Sequence, residues 1–310
     1  MGSTNYPCVP GHELAGVVTA VGKNVTKCQV GDNVGVGCVV DSCFNCSGCH
    51  DGEEHMCEKG MTGTYDGNIK HGHIKTGSGW TFGGYSCSQT VHQRFIVKIP
   101  DGFPLEAAGP VFCAGITMYS PLVYWVLLAD SVTPNYRSFQ GAGKGGKRVG
   151  IIGIGGLGQM GVRIAKAMGN TVTAISTSPN KEAAAKEIGA DHFIVSTDPE
   201  NMKAGADSLD LILNTVSADH NLNTYLPLLA AKGVLVQLGL VLSPHPVSQL
   251  PLMFKKLSIV GSLIGGLPET QDCIDFCHKH NIVPRINLVN CTELDRVYQE
   301  LGAKNDTIIR

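Results

Sequence analysis

The chain has 310 residues, 43% hydrophobic and 16% charged, the balance of a folded protein of about two domains and not of a disordered chain. Its 24 Lys and Arg nearly cancel 26 Asp and Glu, for a formal charge of −2, so there is no field to hold a polyanion and nucleic acid is not an expected partner. No apolar run nears the roughly 18 residues of a membrane span, and the start, Met1-Gly-Ser-Thr-Asn-Tyr-Pro7, has no basic head or apolar stretch; the expectation is a cytoplasmic protein without a membrane partner.

Up to about residue 99 the chain is rich in Gly, Val, Thr and turn residues. Stretches such as Glu13-Leu-Ala-Gly-Val-Val-Thr-Ala-Val-Gly22 and Arg94-Phe-Ile-Val-Lys-Ile-Pro100 predict short strands of an irregular β barrel. Within this region Cys43, Cys46, Cys49 and Cys57 place four thiols within fifteen residues. That set suffices for a closed tetrahedral zinc site, and such clustering in a long chain points to metal before disulfides. An iron–sulfur run ends differently, in Cys-Pro. The acidic neighbours Asp41, Asp51, Glu53, Glu54 and Glu58 argue against a phosphate-facing zinc ribbon, and His50 and His55 read as surface residues. The other eight cysteines, Cys38 among them, are scattered. The aromatics Trp80, Phe82 and Tyr85 fit either a pocket lining or packing anchors.

Residues 122–146 read as an insertion, with a helical first half and a Gly/Lys-rich end. From Arg148 the texture changes to alternating strands and helices: strands at 148–152, 171–175, 192–195, 209–214, 233–238 and 257–262, and helices at 157–168, 181–188, 222–229 and 269–280. That alternation predicts a parallel, doubly wound sheet.

Between the first of these strands and its helix lies Gly153-Ile154-Gly155-Gly156-Leu157-Gly158. It fits G-x-G-x-x-G with both flanks correct: a tight turn, close backbone approach to a pyrophosphate, and a helix N-terminus facing the phosphates. The end of the next strand carries no acid that would bind the ribose hydroxyls of NAD. It reads Ser176-Thr177-Ser178-Pro-Asn-Lys181, with hydroxyls and a cation suited to a 2′-phosphate, so NADP is the expected cofactor; a helix cap with Lys181 in the first turn is compatible with that role.

Together, Gly11-His12-Glu13, the four-cysteine lobe, Pro110-Val-Phe-Cys-Ala-Gly-Ile-Thr117, the glycine turn and the Ser/Thr/Lys stretch resemble the zinc-dependent medium-chain alcohol dehydrogenases, most nearly the cinnamyl alcohol dehydrogenase-like branch. The resemblance implies a GroES-like catalytic domain over 1–115 with its zinc lobe at 43–57, a Rossmann NADP-binding domain over 116–265, and a return to the catalytic domain over 266–310. It implies a catalytic zinc at His12 and Cys113, with Glu13 able to enter the coordination shell, and cofactor contacts at Thr117, Gly153 to Gly158, Ser176, Thr177, Ser178, Lys181, Thr215, Gly239, Ser262, Leu263 and Ile264. The family's first catalytic cysteine and its proton relay lie upstream of Gly-His-Glu, and none of the eleven residues before His12 matches that motif. Cys8, with Pro10 intervening, is a poor substitute, and Thr307-Ile-Ile-Arg310 resembles the start of the family's last strand. The reading is thus of a chain shortened at both ends with an incomplete catalytic site.

The expected reaction is reversible hydride transfer between NADP(H) and a primary alcohol or aldehyde, aromatic substrates included. A catalytically impaired NADP- and zinc-binding relative and a polyol dehydrogenase relative are the alternatives. A homodimer is implied by the resemblance alone.

Overall fold

The structure, a computed structural model, describes residues 4–127 and 146–302. The chain divides into two compact units, Met1–Ile116 with Leu263–Ile286, and Thr117–Ser262 with Asn287–Arg310. The division falls inside the helix Ala114–Leu122. The expected return to the first unit is made by the helix Leu267–Lys279 and ends at 286, whereas the helix Leu294–Gly302 groups with the second unit. Residues 128–145 of the predicted insertion, and the segment 307–310, lie outside the described residues.

The first unit contains β1 (Leu14–Val17), β2 (Asn33–Val36), β3 (Val39–Asp41), β4 (Thr62–Gly63) and β5 (Val97–Lys98). Strands β1, β2 and β5 form an antiparallel sheet in that order, with Leu14 opposite Val36 and Val34 opposite Lys98; β3 pairs with β4. The strands are shorter than the sequence suggests because turns capture the flanking backbone. Val18 donates to Asp32 and Gly31 donates back to Val18, which ends β1, and Gln93–Phe95 winds into a single turn ahead of β5. Phe95, Ile99, Phe103, Val111, Phe112 and Ile116 are buried in this unit. Each such side chain contributes about 1.5–3 kcal/mol of apolar burial.

The second unit holds β6 (Arg148–Ile152), β7 (Thr171–Ser176), β8 (His192–Val195), β9 (Leu209–Asn214), β10 (Leu229–Gln237) and β11 (Ser258–Gly261). They form one sheet in the order β11-β10-β9-β6-β7-β8, every neighbour parallel. The near-continuous burial of β6, β7 and β9 explains why they read as apolar runs without alternation. The chain steps outward from β6 through β7 to β8, then crosses back to β9 and steps the other way. The crevice at the carboxyl ends of β6 and β9 is therefore the topological switch point where open parallel sheets bind ligands.

One predicted helix is corrected. Residues 222–229 form two single turns, Leu222–Thr224 and Leu226–Leu228, and Leu229 already belongs to β10. Pro227 has no N–H to continue a helix, and a short apolar run cannot by itself separate buried helix from buried strand. Helices that went unread include Ala114–Leu122; Pro199–Ala204, capped by the Asp198 carboxylate accepting from Glu200 and Asn201; Gln249–Lys255; and Leu294–Gly302, which follows the capping box of Asn290 and Glu293. Among the described residues no helix is long and apolar enough to cross a membrane.

Candidate functional site

The four predicted lobe cysteines converge. Cys43 and Cys49 sulfurs are 3.9 Å apart and those of Cys46 and Cys57 4.0 Å, with all four within 4.8 Å of one another and every thiol free. Zinc–sulfur bonds of about 2.3 Å at tetrahedral angles put sulfurs about 3.8 Å apart, so the donor set fits a closed zinc site. The backbone prepares the sulfurs for negative charge: N–H groups of Cys49 and Glu58 lower the Cys46 thiol to about 6, whereas burial raises Cys57 to about 11. Buried Glu54 braces the lobe. It accepts from Arg94 Nε at 3.2 Å and from the Leu267 amide at 3.2 Å, while Arg94 also donates to the Cys49 carbonyl at 2.8 Å and lies 4.7 Å from the centre of the Phe44 ring.

His12 and Cys113 meet although 101 residues separate them, with Nε2 3.2 Å from Sγ. Backbone bonds seat the His12 segment: Gly83 donates to Val9, Gly84 to Gly11 and Tyr85 to Pro10. Gly11 sits at φ +103°, a conformation that favours glycine. The His12 imidazole pKa is raised, first by its hydrogen bond to Cys113 and against the effect of burial; the Cys113 thiol is raised by its hydrogen bond to Cys38 and by burial. Glu13 is exposed as a residue, yet its carboxyl has lost enough hydration to raise its pKa, opposed by the charge of His12 and a hydrogen bond with Cys113.

Sequence reasoning passed over the third member of this cluster. The sulfur of Cys38 joins His12 and Cys113, all three ligand atoms lying within 4.8 Å. The meeting has a clear cause. A side chain at Gly35 would place its Cβ 1.9 Å from the Phe112 ring, and one at Gly37 would lie 2.8 Å from the Phe112 carbonyl. Two glycines thus let β2 and the residues after it press flat against Phe112, which brings Cys38 alongside Cys113. The glycine pattern Gly35-x-Gly37 just before Cys38 was the legible clue, but its partner is more than seventy residues away. Cys8 belongs to neither metal-capable group found among the described residues.

In the second unit the predicted cofactor residues line up along one edge of the sheet. Gly153 to Gly158 follow β6, Ser176 ends β7 with Thr177 and Ser178 beyond it, and Thr215, Gly239 and Ser262 stand just past β9, β10 and β11. The helix Gly156–Ala167 starts at Gly155 with no side-chain cap, leaving its first N–H groups open to an anion. Gly153 has φ +87° and lies against Thr215, whose hydroxyl donates to the Ile152 carbonyl at 2.8 Å; a Cβ at Gly158 would fall 1.8 Å from the Gly153 carbonyl oxygen. This geometry fits a pyrophosphate resting on backbone. The Ser178 amide donates to the Ser176 hydroxyl at 3.2 Å, closing the turn that leads to Lys181. Thr117 is buried in the same unit, while Leu263 and Ile264 belong to the other.

The aromatics divide between both readings. Phe82 lines a cavity of about 280 Å³ in the first unit with Leu14, His73 and His92, whereas Trp80 and Tyr85 do not line it.

Residues 1–101 match the family of alcohol dehydrogenase GroES-like domains, and residues 156–279 the zinc-binding dehydrogenases. The NADP-dependent alcohol dehydrogenase C 1 of Mycolicibacterium smegmatis is 45% identical over 305 residues, which cover 98% of this chain and 81% of that protein. A cinnamyl alcohol dehydrogenase from Sorghum bicolor matches with a TM-score of 0.86 at 38% identity, over 96% of this chain and 79% of that one. The cinnamyl alcohol dehydrogenase of Helicobacter pylori complexed with NADP(H) matches at 0.82 and 36%, over 97% and 80%. With a GroES-like domain and a parallel-sheet Rossmann domain, the fold is that of a medium-chain dehydrogenase. The chain belongs to the zinc-binding alcohol dehydrogenase family that includes the cinnamyl alcohol dehydrogenases.

Proposed function

We propose that this chain is an NADP-dependent alcohol dehydrogenase or aldehyde reductase, moving hydride between NADP(H) and a primary alcohol or its aldehyde, aromatic substrates of the cinnamyl type included. The observation that carries the reading is the meeting of His12 and Cys113 at 3.2 Å, since nothing in the sequence spacing demands it and a dehydrogenase of this family needs it. On this reading Cys43, Cys46, Cys49 and Cys57 hold a zinc that pins the lobe, the first unit serves as the catalytic domain and the second binds the cofactor. His12 and Cys113 hold the second zinc, with Glu13 beside them. When bound, that metal supplies Lewis acidity, stabilising negative charge on the substrate oxygen.

The chain's own residues do the positioning. Open amides at Gly155 to Gly158 seat the pyrophosphate, and Thr215, Gly239 and Ser262 let the cofactor lie close to backbone. Ser176, Thr177, Ser178 and Lys181 select the 2′-phosphate through hydroxyl donors and one cation. Thr117, Leu263 and Ile264 complete the cofactor contacts. Pairing into a homodimer is part of the same reading.

The test is reduction of cinnamaldehyde by the purified chain with NADPH and NADH in parallel. NADPH should support turnover, and Lys181→Ala should reduce the preference for NADPH about 10-fold or more, because a charge-assisted bond contributes roughly 1.5–3 kcal/mol. NADPH binding without turnover of any alcohol or aldehyde would sink the enzyme reading.

A further inference from the structure

We propose that Cys38 is a metal ligand, completing with His12 and Cys113 a one-imidazole, two-thiolate site for zinc or a similar borderline-soft divalent cation. The proposal takes its catalytic meaning from the dehydrogenase reading above but stands or falls on metal binding alone.

Three observations carry it. The His12 Nε2 and the Cys38 and Cys113 sulfurs lie within 4.8 Å of one another, near enough for one ion to reach all three. A tetrahedral ion with bonds of about 2.0 Å to nitrogen and 2.3 Å to sulfur sets a nitrogen–sulfur pair about 3.5 Å apart, only slightly wider than the 3.2 Å between His12 and Cys113. Second, beyond its hydrogen bond with Cys113, the Cys38 thiol has only a weak partner. It forms no disulfide, it is only half-buried, and its thiol reaches the Phe112 carbonyl at a long 3.9 Å. Third, its placement is built: bare backbone at Gly35 and Gly37 accepts the ring and carbonyl of Phe112, with which a Cβ at either glycine would collide.

Three protein donors leave a fourth coordination position open, the arrangement of catalytic rather than structural zinc. Glu13, hydrogen-bonded to Cys113, stands beside the cluster. As the ion binds, each thiol S–H bond breaks and its proton leaves to solvent while the sulfur lone pair forms the metal bond, with no change of oxidation state, so loading releases about two protons.

The test uses the full chain loaded with Co(II), whose thiolate charge-transfer absorption reports sulfur ligation. The wild type should hold about two ions per chain, one in the four-cysteine lobe and one here. Cys38→Ser should keep the lobe ion, weaken the second at least 10-fold in competition with a chelator, and lose part of the charge-transfer intensity. Thiol alkylation mapped by mass spectrometry gives a readout in the unmutated chain: the second ion should shield Cys38 and Cys113 while exposed Cys87 reacts equally with and without it. A Cys38→Ser chain with unchanged second-site affinity and absorption, or Cys38 alkylated equally fast in both states, overturns the proposal. A chain that holds the second ion yet reduces no aldehyde supports it while refuting the dehydrogenase reading.

Discussion

The first unit assembles two sulfur clusters in opposite ways. In the lobe, four thiols come from fifteen consecutive residues, and the loop needs only to curl for Cys43 to reach Cys49 and Cys46 to reach Cys57. At the other cluster, His12, Cys38 and Cys113 come from three distant segments that meet because a sheet and a phenylalanine ring hold them. The lobe is encoded locally and stabilised by what it binds; the second cluster is encoded by the fold. Losing a donor should therefore damage stability in the lobe and ligand chemistry at the second cluster.

The largest expected effect is at the lobe. Cys46→Ser or Cys49→Ser should release about one metal per chain and cost about 5 kcal/mol or more, since structural zinc contributes folding free energy directly. Elemental analysis with denaturant unfolding checks this, and a variant that keeps its metal and midpoint would break the contrast. Next comes the brace. Arg94→Met leaves the Glu54 carboxylate, 2% exposed, without its cation. Allowing for an arginine side chain that is 36% exposed, the loss should be about 2–3 kcal/mol by thermal melting. An unchanged melt would mean the lobe stands without that pair.

In the second unit Gly158→Ala extends the comparison to another locally encoded motif. Its Cβ would meet the Gly153 carbonyl at 1.8 Å, so the turn must open, costing about 1–3 kcal/mol. NADPH affinity, read by fluorescence titration, should fall about 10-fold, while both metal stoichiometries stay at wild-type values.

The smallest effect concerns acid. Burial raises the Asp210 pKa, but hydrogen bonds and charge from Arg148, at 2.6 Å, outweigh it and leave a net lowering from 3.8. A lowered folded value means stability that is present above the unfolded pKa and lost as pH falls through the folded one. Arg148→Met should therefore cost about 1 kcal/mol at pH 7, the pair being partly exposed, and the difference from wild type should shrink as pH falls below about 4 and vanish only below the lowered folded pKa. Because neither residue belongs to a metal-capable cluster, this separates ordinary acid destabilisation from proton-driven metal release.

How much the sequence disclosed follows the same division. The glycine turn, the four cysteines and the Ser/Thr/Lys stretch are each contiguous, so their grouping could be read from spacing alone. The parallel strands were legible because burial on both faces makes each an unbroken apolar run. Residues 222–229 were misread since so short a segment, Leu-Asn-Thr-Tyr-Leu-Pro-Leu-Leu, shows no clear period, and Pro227 decided the matter. The helix at Pro199–Ala204 was missed despite the Asp198-Pro199-Glu200 start, a cap whose short helix has no apolar stripe to announce it. Cys38 was invisible as a site residue for a different reason: no property of its neighbours names Cys113, and only the packing of Phe112 on Gly35 does.

That contact also makes residue 35 a gauge for a distance it never touches. Enlarging it would drive a Cβ into the buried Phe112 ring, so it should be felt as a change in the gap between two sulfurs, and trimming the ring with Phe112→Leu should restore what Gly35→Ala removes. The two positions are then free to vary only together, so the reach between Cys38 and Cys113 is inherited as a matched pair of sizes.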